Sequence, residues 1–150
     1  MPSMKYSIQS DIPADALMQT ILDFASYPDF VETVQQTEIR KSGPPVWEVY
    51  FEIMVIRKLS YCLQLEQKDE FEIAWTLVEG FFVSNTGRWK LQPNEQGTEV
   101  TYEVAMQLDT FLPSMIRRSL GNQLLPKVVE AFIEETRARI ALQRIDSTDN

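Results

Sequence analysis

From Val34 to Leu108, apolar residues return at every second position in run after run, and no other feature constrains the fold of this chain as tightly. The cleanest run places Trp47, Val49, Phe51, Ile53 and Val55 on one face, with Glu48, Tyr50, Glu52 and Met54 on the other. Leu59, Tyr61, Leu63 and Leu65 repeat the pattern against Ser60, Cys62, Gln64 and Glu66, and Phe71, Ile73, Trp75 and Leu77 continue it. A strand from Phe82 to Gln92 follows, then one through Val100, Tyr102, Val104, Met106 and Leu108 with Glu99, Thr101 and Glu103 turned outward. Val34 to Lys41 and Met4 to Ser10 read as two further strands. Turn signals separate the runs: Ser42-Gly43-Pro44-Pro45, Arg57-Lys58, Lys68-Asp69-Glu70, Glu79-Gly80 and Pro93 to Gly97. Consecutive strands with one apolar and one polar face make an antiparallel sheet covered on one side only.

The cover is the C-terminal segment. Leu112, Ile116, Leu120, Leu124, Val128 and Phe132 recur every fourth residue, joined by Met115, Leu125, Val129, Ile133 and Ile140. Such a series drifts around a straight helix of about 3.6 residues per turn. The long helix, expected to begin near Pro113, therefore bends or breaks, and Gly121-Asn122 and Pro126 are the places for it. Before the sheet, a helix is expected from the cap region at Asp11 or Ile12 to about Ala25. Pro13 and Asp15 suit its first turn, and Ala16, Leu17, Ile21, Leu22 and Phe24 form its buried stripe. Tyr27-Pro28-Asp29-Phe30-Val31 reads as a second short helix or turn. No repeat or linker divides the chain. The expectation is one α+β domain over residues 1–145, a curved antiparallel sheet of about seven strands around a long C-terminal helix, with two short helices after the first strand. Residues 146–150 are expected as a frayed tail.

Composition narrows the chemistry. The 150 residues suffice for one domain with a real core. No run reaches the roughly 18 apolar residues of a membrane span, and the N-terminus lacks a secretory pattern, so a cytoplasmic protein is expected. A net charge of -8 opposes a sequence-independent grip on nucleic acid and broad attachment to anionic lipid. The chain has no histidine, which removes Ser-His and Cys-His pairs and nearly all zinc sites. The single cysteine, Cys62, excludes an intramolecular disulfide and falls on the outward parity. Glu48, Glu52, Glu99, Glu103 and Arg88 are outward too, so no inward carboxylate pair emerges for acid–base work.

The inward set is aromatic: Trp47, Phe51, Tyr61, Phe71, Trp75, Trp89 and Tyr102. Two readings stand side by side. These residues pack a core, or they wall an elongated apolar pocket that a curved sheet and a single helix cannot fill.

The order of elements resembles the START-like (SRPBCC) helix-grip superfamily, in the branch of polyketide cyclase/dehydrase and coenzyme-Q-binding proteins. The resemblance rests on Ile12-Pro13-Ala14-Asp15 leading into Asp23-Phe24-Ala25-Ser26-Tyr27-Pro28-Asp29-Phe30-Val31, then on Glu79-Gly80-Phe81-Phe82. Gly87-Arg88-Trp89-Lys90-Leu91, Gly97-Thr98-Glu99-Val100 and Val128-Val129-Glu130-Ala131-Phe132 complete it. It implies a cavity between sheet and helix, open at one end. Its walls would be Trp47, Phe51, Trp75, Trp89, Met106, Met115, Ile116, Leu120 and Leu124, with Tyr61, Asn85 and Tyr102 as the polar groups inside. Phe81, Phe82, Phe111 and Leu112 would form its mouth, beside Arg117 and Arg118. There they either cap the core or make an apolar lip for transient membrane contact.

The function so implied is non-enzymatic binding, for storage or transfer, of a hydrophobic small molecule such as a quinone, lipid or polyketide-like compound. No metal or other cofactor is expected. The alternative is a polyketide cyclase/dehydratase that uses Tyr61, Tyr102, Arg88 or Asp109. A third reading, docking on a ribosomal subunit, is opposed by the acidic balance.

Overall fold

A computed structural model describes residues 3–55, 57–107 and 124–148. Seven strands form one antiparallel sheet in these residues: β1 (Ser3–Ser10), β2 (Val34–Gly43), β3 (Val46–Met54), β4 (Lys58–Asp69), β5 (Glu72–Gly80), β6 (Ser84–Asn94) and β7 (Gly97–Gln107). Their order is β1-β7-β6-β5-β4-β3-β2, so β2 to β7 form a meander and β1 closes the far edge against β7. Between β1 and β2 the chain crosses through α1 (Ala14–Leu22), a 3₁₀ turn (Phe24–Ser26) and α2 (Tyr27–Phe30); α3 (Leu124–Thr148) ends it. The expected α+β helix-grip architecture is the observed one.

The inner face follows the alternation. Val49, Phe51, Ile53, Leu59, Leu63, Leu65, Ile73, Trp75, Trp89, Leu91, Val100 and Val104 are all buried. From α3, Leu125, Val129, Phe132 and Ile133 join them. The Phe132 ring meets Tyr27, Phe30 and Trp89 edge-on at 4.9, 5.0 and 5.0 Å. The expected start near Pro113 and the Gly121-Asn122 bend site lie outside the described residues, while Pro126 falls inside α3. That helix runs on through Thr148, across three of the residues expected as tail.

Two other boundaries differ from expectation. Pro13 itself, not Asp11 or Ile12, takes the cap position of α1, and the helix stops at Leu22 instead of near Ala25. Asp23 leaves helical geometry with ψ at 67°, and the 3₁₀ turn that follows brings Phe24 and Tyr27 into the core together.

The turn expected at Glu79-Gly80 is strand. The register between β4 and β5 slips by one residue beside Val78, so that Cys62 faces Glu79 and Tyr61 faces Gly80. Gly80 has φ of 124° and lies against the Tyr61 backbone, where a Cβ would collide. The break falls instead at Phe81 to Val83, and β6 begins at Ser84 rather than Phe82. β5 and β6 pair over only five positions, from Glu72↔Lys90 to Thr76↔Thr86, so the two strands part company next to Asn85.

The outer face carries the charges in pairs. Arg40 meets Glu79 at 3.1 Å, Lys58 meets Glu52 at 3.1 Å and Arg88 meets Glu103 at 2.6 Å. Such exposed pairs contribute little to stability. Cys62 lies on this face as its parity requires, yet it is only 1% exposed. Arg40, Glu48 and Glu79 surround it, and burial pushes its thiol above the ordinary range, so it is poorly suited to act as a nucleophile.

Candidate functional site

β2, β4 and β6 start, and β3, β5 and β7 finish, at the same end of the sheet. Toward that end the inner face and α3 do not meet completely. They leave a partly open cavity of about 140 Å³. This is close to the roughly 150 Å³ of an engineered void that takes up benzene.

Of the wall residues expected from sequence, Phe51, Tyr61, Trp75, Asn85, Trp89, Tyr102 and Met106 all line this space. Phe82, expected at the mouth, lines it as well. Trp47 does not. It shares the inner face but packs edge-on against Phe24 at 5.5 Å, because parity fixes the face of a strand residue and not its depth. Phe81 also stays out of the lining and packs on Phe82 at 5.3 Å, with the Arg57 guanidinium 5.6 Å above its ring. Met115, Ile116, Leu120, Phe111 and Leu112 lie outside the described residues, as do Asp109, Arg117, Arg118 and the side chain of Leu124. Arg88 is outward and paired with Glu103.

Sequence reasoning missed part of the wall. Tyr27 and Val31 from α2 and its end, Thr33 and Val34 from the start of β2, and Leu125, Val128 and Phe132 from α3 also line it, with Ile53, Leu63, Leu65 and Val104 from the sheet. The Tyr27 to Val31 element was visible as a motif, but nothing in a short polar-flanked run says that it faces the sheet. A shallower cleft shares Val31, Thr33 and Val128 with the cavity and carries Glu32, Lys127, Glu130 and Glu134 on its rim.

Aromatic contacts set the shape of the chamber. Phe51 and Tyr61 stack at 5.4 Å, Phe82 meets Tyr61 edge-on at 5.0 Å, and Tyr102 packs on Trp89 at 4.5 Å and on Trp75 at 5.6 Å. Trp75 owes its position to Gly87, its cross-strand partner on β6. A Cβ on Gly87 would strike the indole, so the bare backbone lets the ring lie across β6. From there the indole N–H donates to Asn85 Oδ1 at 3.1 Å.

The polar groups are few and uncharged. The Tyr27 hydroxyl donates to the Ile21 carbonyl. Burial pushes the phenols of Tyr61 and Tyr102 well above the usual range, and their proximity raises Tyr61 further, so both stay neutral near pH 7. Among the described residues no carboxylate, lysine or arginine lines the cavity. Nor, among them, does any cluster of three or more acidic residues or cysteines stand in metal-binding arrangement.

A curved antiparallel sheet gripping one long helix around an apolar chamber is the helix-grip fold of START-like proteins. The chain belongs to the polyketide cyclase / dehydrase and lipid transport family, whose model matches residues 10–133. Among solved structures it is similar to the Zhui aromatase/cyclase from Streptomyces sp. R1128, at 14% identity and TM-score 0.79, covering 93% of this chain and 95% of the other. A START superfamily protein from Mycobacterium smegmatis matches with TM-score 0.79 at 13% identity, covering 91% of this chain and 97% of its own. A STAR-related lipid transfer protein from Xanthomonas axonopodis matches with TM-score 0.67 at 14% identity, over 90% of this chain and 85% of the other. At these identities the likeness concerns the fold. No curated protein sequence matches the chain.

Proposed function

We propose that this protein binds a neutral hydrophobic small molecule in the cavity and stores or carries it without transforming it. The observation that carries this reading is the lining: aromatic and aliphatic walls whose hydroxyl and amide side chains, Tyr27, Thr33, Tyr61, Asn85 and Tyr102, are uncharged, and no acid–base pair among the described residues. The volume suits one ring system. A longer molecule would extend past Thr33 and Val128 into the adjoining cleft. Loading takes place at the rim near Phe81, where Met54 and Val83 are exposed and Arg57 can meet phosphate. Among the described residues no helix is long and apolar enough to cross a membrane, so this contact is peripheral.

The competing reading is a cyclase or dehydratase. Its support is the family, together with two phenols in a chamber dry enough to strengthen their hydrogen bonds to a substrate carbonyl. Native mass spectrometry of the purified protein separates the two. A copurified apolar compound recovered unchanged after prolonged incubation supports carriage. Turnover of model polyketides that disappears in a Tyr61→Phe/Tyr102→Phe double variant replaces carriage with catalysis. A protein that neither retains nor takes up any apolar compound overturns both.

A further inference from the structure

We propose that Asn85 selects the ligand, with its side-chain amide N–H groups donating to a carbonyl-type acceptor on a neutral ring compound while the Trp75 indole holds the amide in that orientation. This inference rests on the cavity being a binding site, and it narrows what the site accepts.

An indole N–H can only donate, so the atom of Asn85 that faces Trp75 must be the carbonyl oxygen. That contact fixes which way round the amide lies. The NH2 group therefore points away from Trp75, and Asn85 lines the cavity. The residue is 6% exposed, and among the described residues its nitrogen has no protein partner. The nitrogen is also not sealed off, since no buried side-chain nitrogen or oxygen among the described residues is both occluded and unpartnered.

The site of Asn85 along β6 favours this use. It lies one residue beyond the last β5–β6 pair, where the strands separate, and two residues from Gly87 on the same face. The gap left by Gly87 is what allows Trp75 to reach it. Tyr61 and Tyr102, two further polar groups of the lining, can also donate because they stay protonated. The chamber thus offers donors in excess and no fixed charge among the described residues. A ligand whose only polar atoms are donors would leave the Asn85 amide unpaired, which a buried site penalises. An anion would find no cation to balance it.

The test uses two single-ring probes of similar size, acetophenone with a carbonyl and ethylbenzene without one, titrated calorimetrically into the full chain. Acetophenone is the better hydrated, so a merely apolar chamber favours ethylbenzene. The expected result is that the wild type binds acetophenone at least as tightly as ethylbenzene, with the Asn85 side-chain amide resonance shifting for acetophenone alone. Asn85→Leu should move the affinity ratio at least tenfold toward ethylbenzene while ethylbenzene still binds. Asn85→Asp keeps an acceptor for Trp75 but presents oxygen in place of N–H, and should move the ratio the same way. Trp75→Phe frees the amide to turn and should move it by a smaller factor. An unchanged ratio in both Asn85 variants overturns the donor assignment and leaves the binding site standing. Failure of the wild type to bind either probe overturns the binding site and the assignment together.

Discussion

The hydroxyls of Thr20 in α1 and Thr136 in α3 lie 2.8 Å apart, both fully buried, and join the two helices at the closed end of the fold. Each also lies near the carbonyl four residues before it, Ala16 for Thr20 at 3.3 Å and Phe132 for Thr136 at 2.7 Å. Two hydroxyl protons serve these three contacts, so the bond between helices forms when one hydroxyl donates to the other instead of to its own carbonyl. Around this contact, Arg139 reaches Asp23 at 2.9 Å and Arg137 reaches Asp11 at 2.8 Å. The first prediction concerns this pair. Thr20→Val and Thr136→Val should each destabilise the fold by about 1–2 kcal/mol, and the double variant by less than the sum, because either substitution alone already removes the bond between the helices. Urea unfolding of the four proteins checks it, and strict additivity would remove the coupling.

Gly87 is the second point. Placing alanine there should force the Trp75 ring off β6 and press on the Glu103 carbonyl, with neither able to yield cheaply. The expected cost is about 1–3 kcal/mol, the usual penalty for overpacking, together with loss of the Trp75–Asn85 hydrogen bond. The Trp75 indole N–H resonance reports that bond directly. An unshifted resonance in Gly87→Ala would show that the ring is held by something else.

Alkaline titration supplies the third. The chain has five tyrosines, and burial holds Tyr27, Tyr61 and Tyr102 above the ordinary phenol value of about 10. Below pH 10 these phenols are neutral in both folded and unfolded chains and do not affect stability. Above it the unfolded chain loses its protons first, so stability falls as pH rises toward the folded-state values. Phenolate absorbance should therefore show three tyrosines ionising only as the fold opens. Smooth ionisation of all five in a folded protein would contradict their burial.

Phe81 gives the fourth. Phe81→Asp leaves the cavity lining untouched but puts a carboxylate beside Arg57 on the proposed contact surface. Flotation with vesicles containing anionic phospholipid should drop severalfold, with ligand affinity in solution unchanged. Equal flotation of the variant and the wild type would remove the membrane from the loading step.

Much of the sheet is legible in the sequence, because its inner face is covered and its outer face wet, so burial writes a period of two into strands such as β3 and β4. The family resemblance, not the parity, put Asn85 inside, and it lines the cavity. Four things were not legible. Depth along a strand leaves no periodic trace, which is why Trp47 read as pocket wall although it packs under Phe24. A register slip is equally silent: Glu79-Gly80 resembles a turn, and only the Tyr61 backbone explains why a glycine stands inside the strand. Cover on the outer face is a matter of tertiary contact, so the outward parity of Cys62 gives no sign that it is buried beside Arg40, Glu48 and Glu79. Nor does an apolar stripe reveal the threonines that interrupt it, although Thr20 and Thr136 join α1 to α3.

The uneven distribution of the three tryptophans has a practical consequence. Trp75 and Trp89 border the chamber while Trp47 stands apart from it. The protein therefore carries its own optical sensor: occupancy should register as a change in near-ultraviolet emission from two indoles, with the third as an internal reference. Replacing Trp47 by Phe should leave that signal nearly intact, so uptake from solution or from vesicles can be followed in real time without any attached dye.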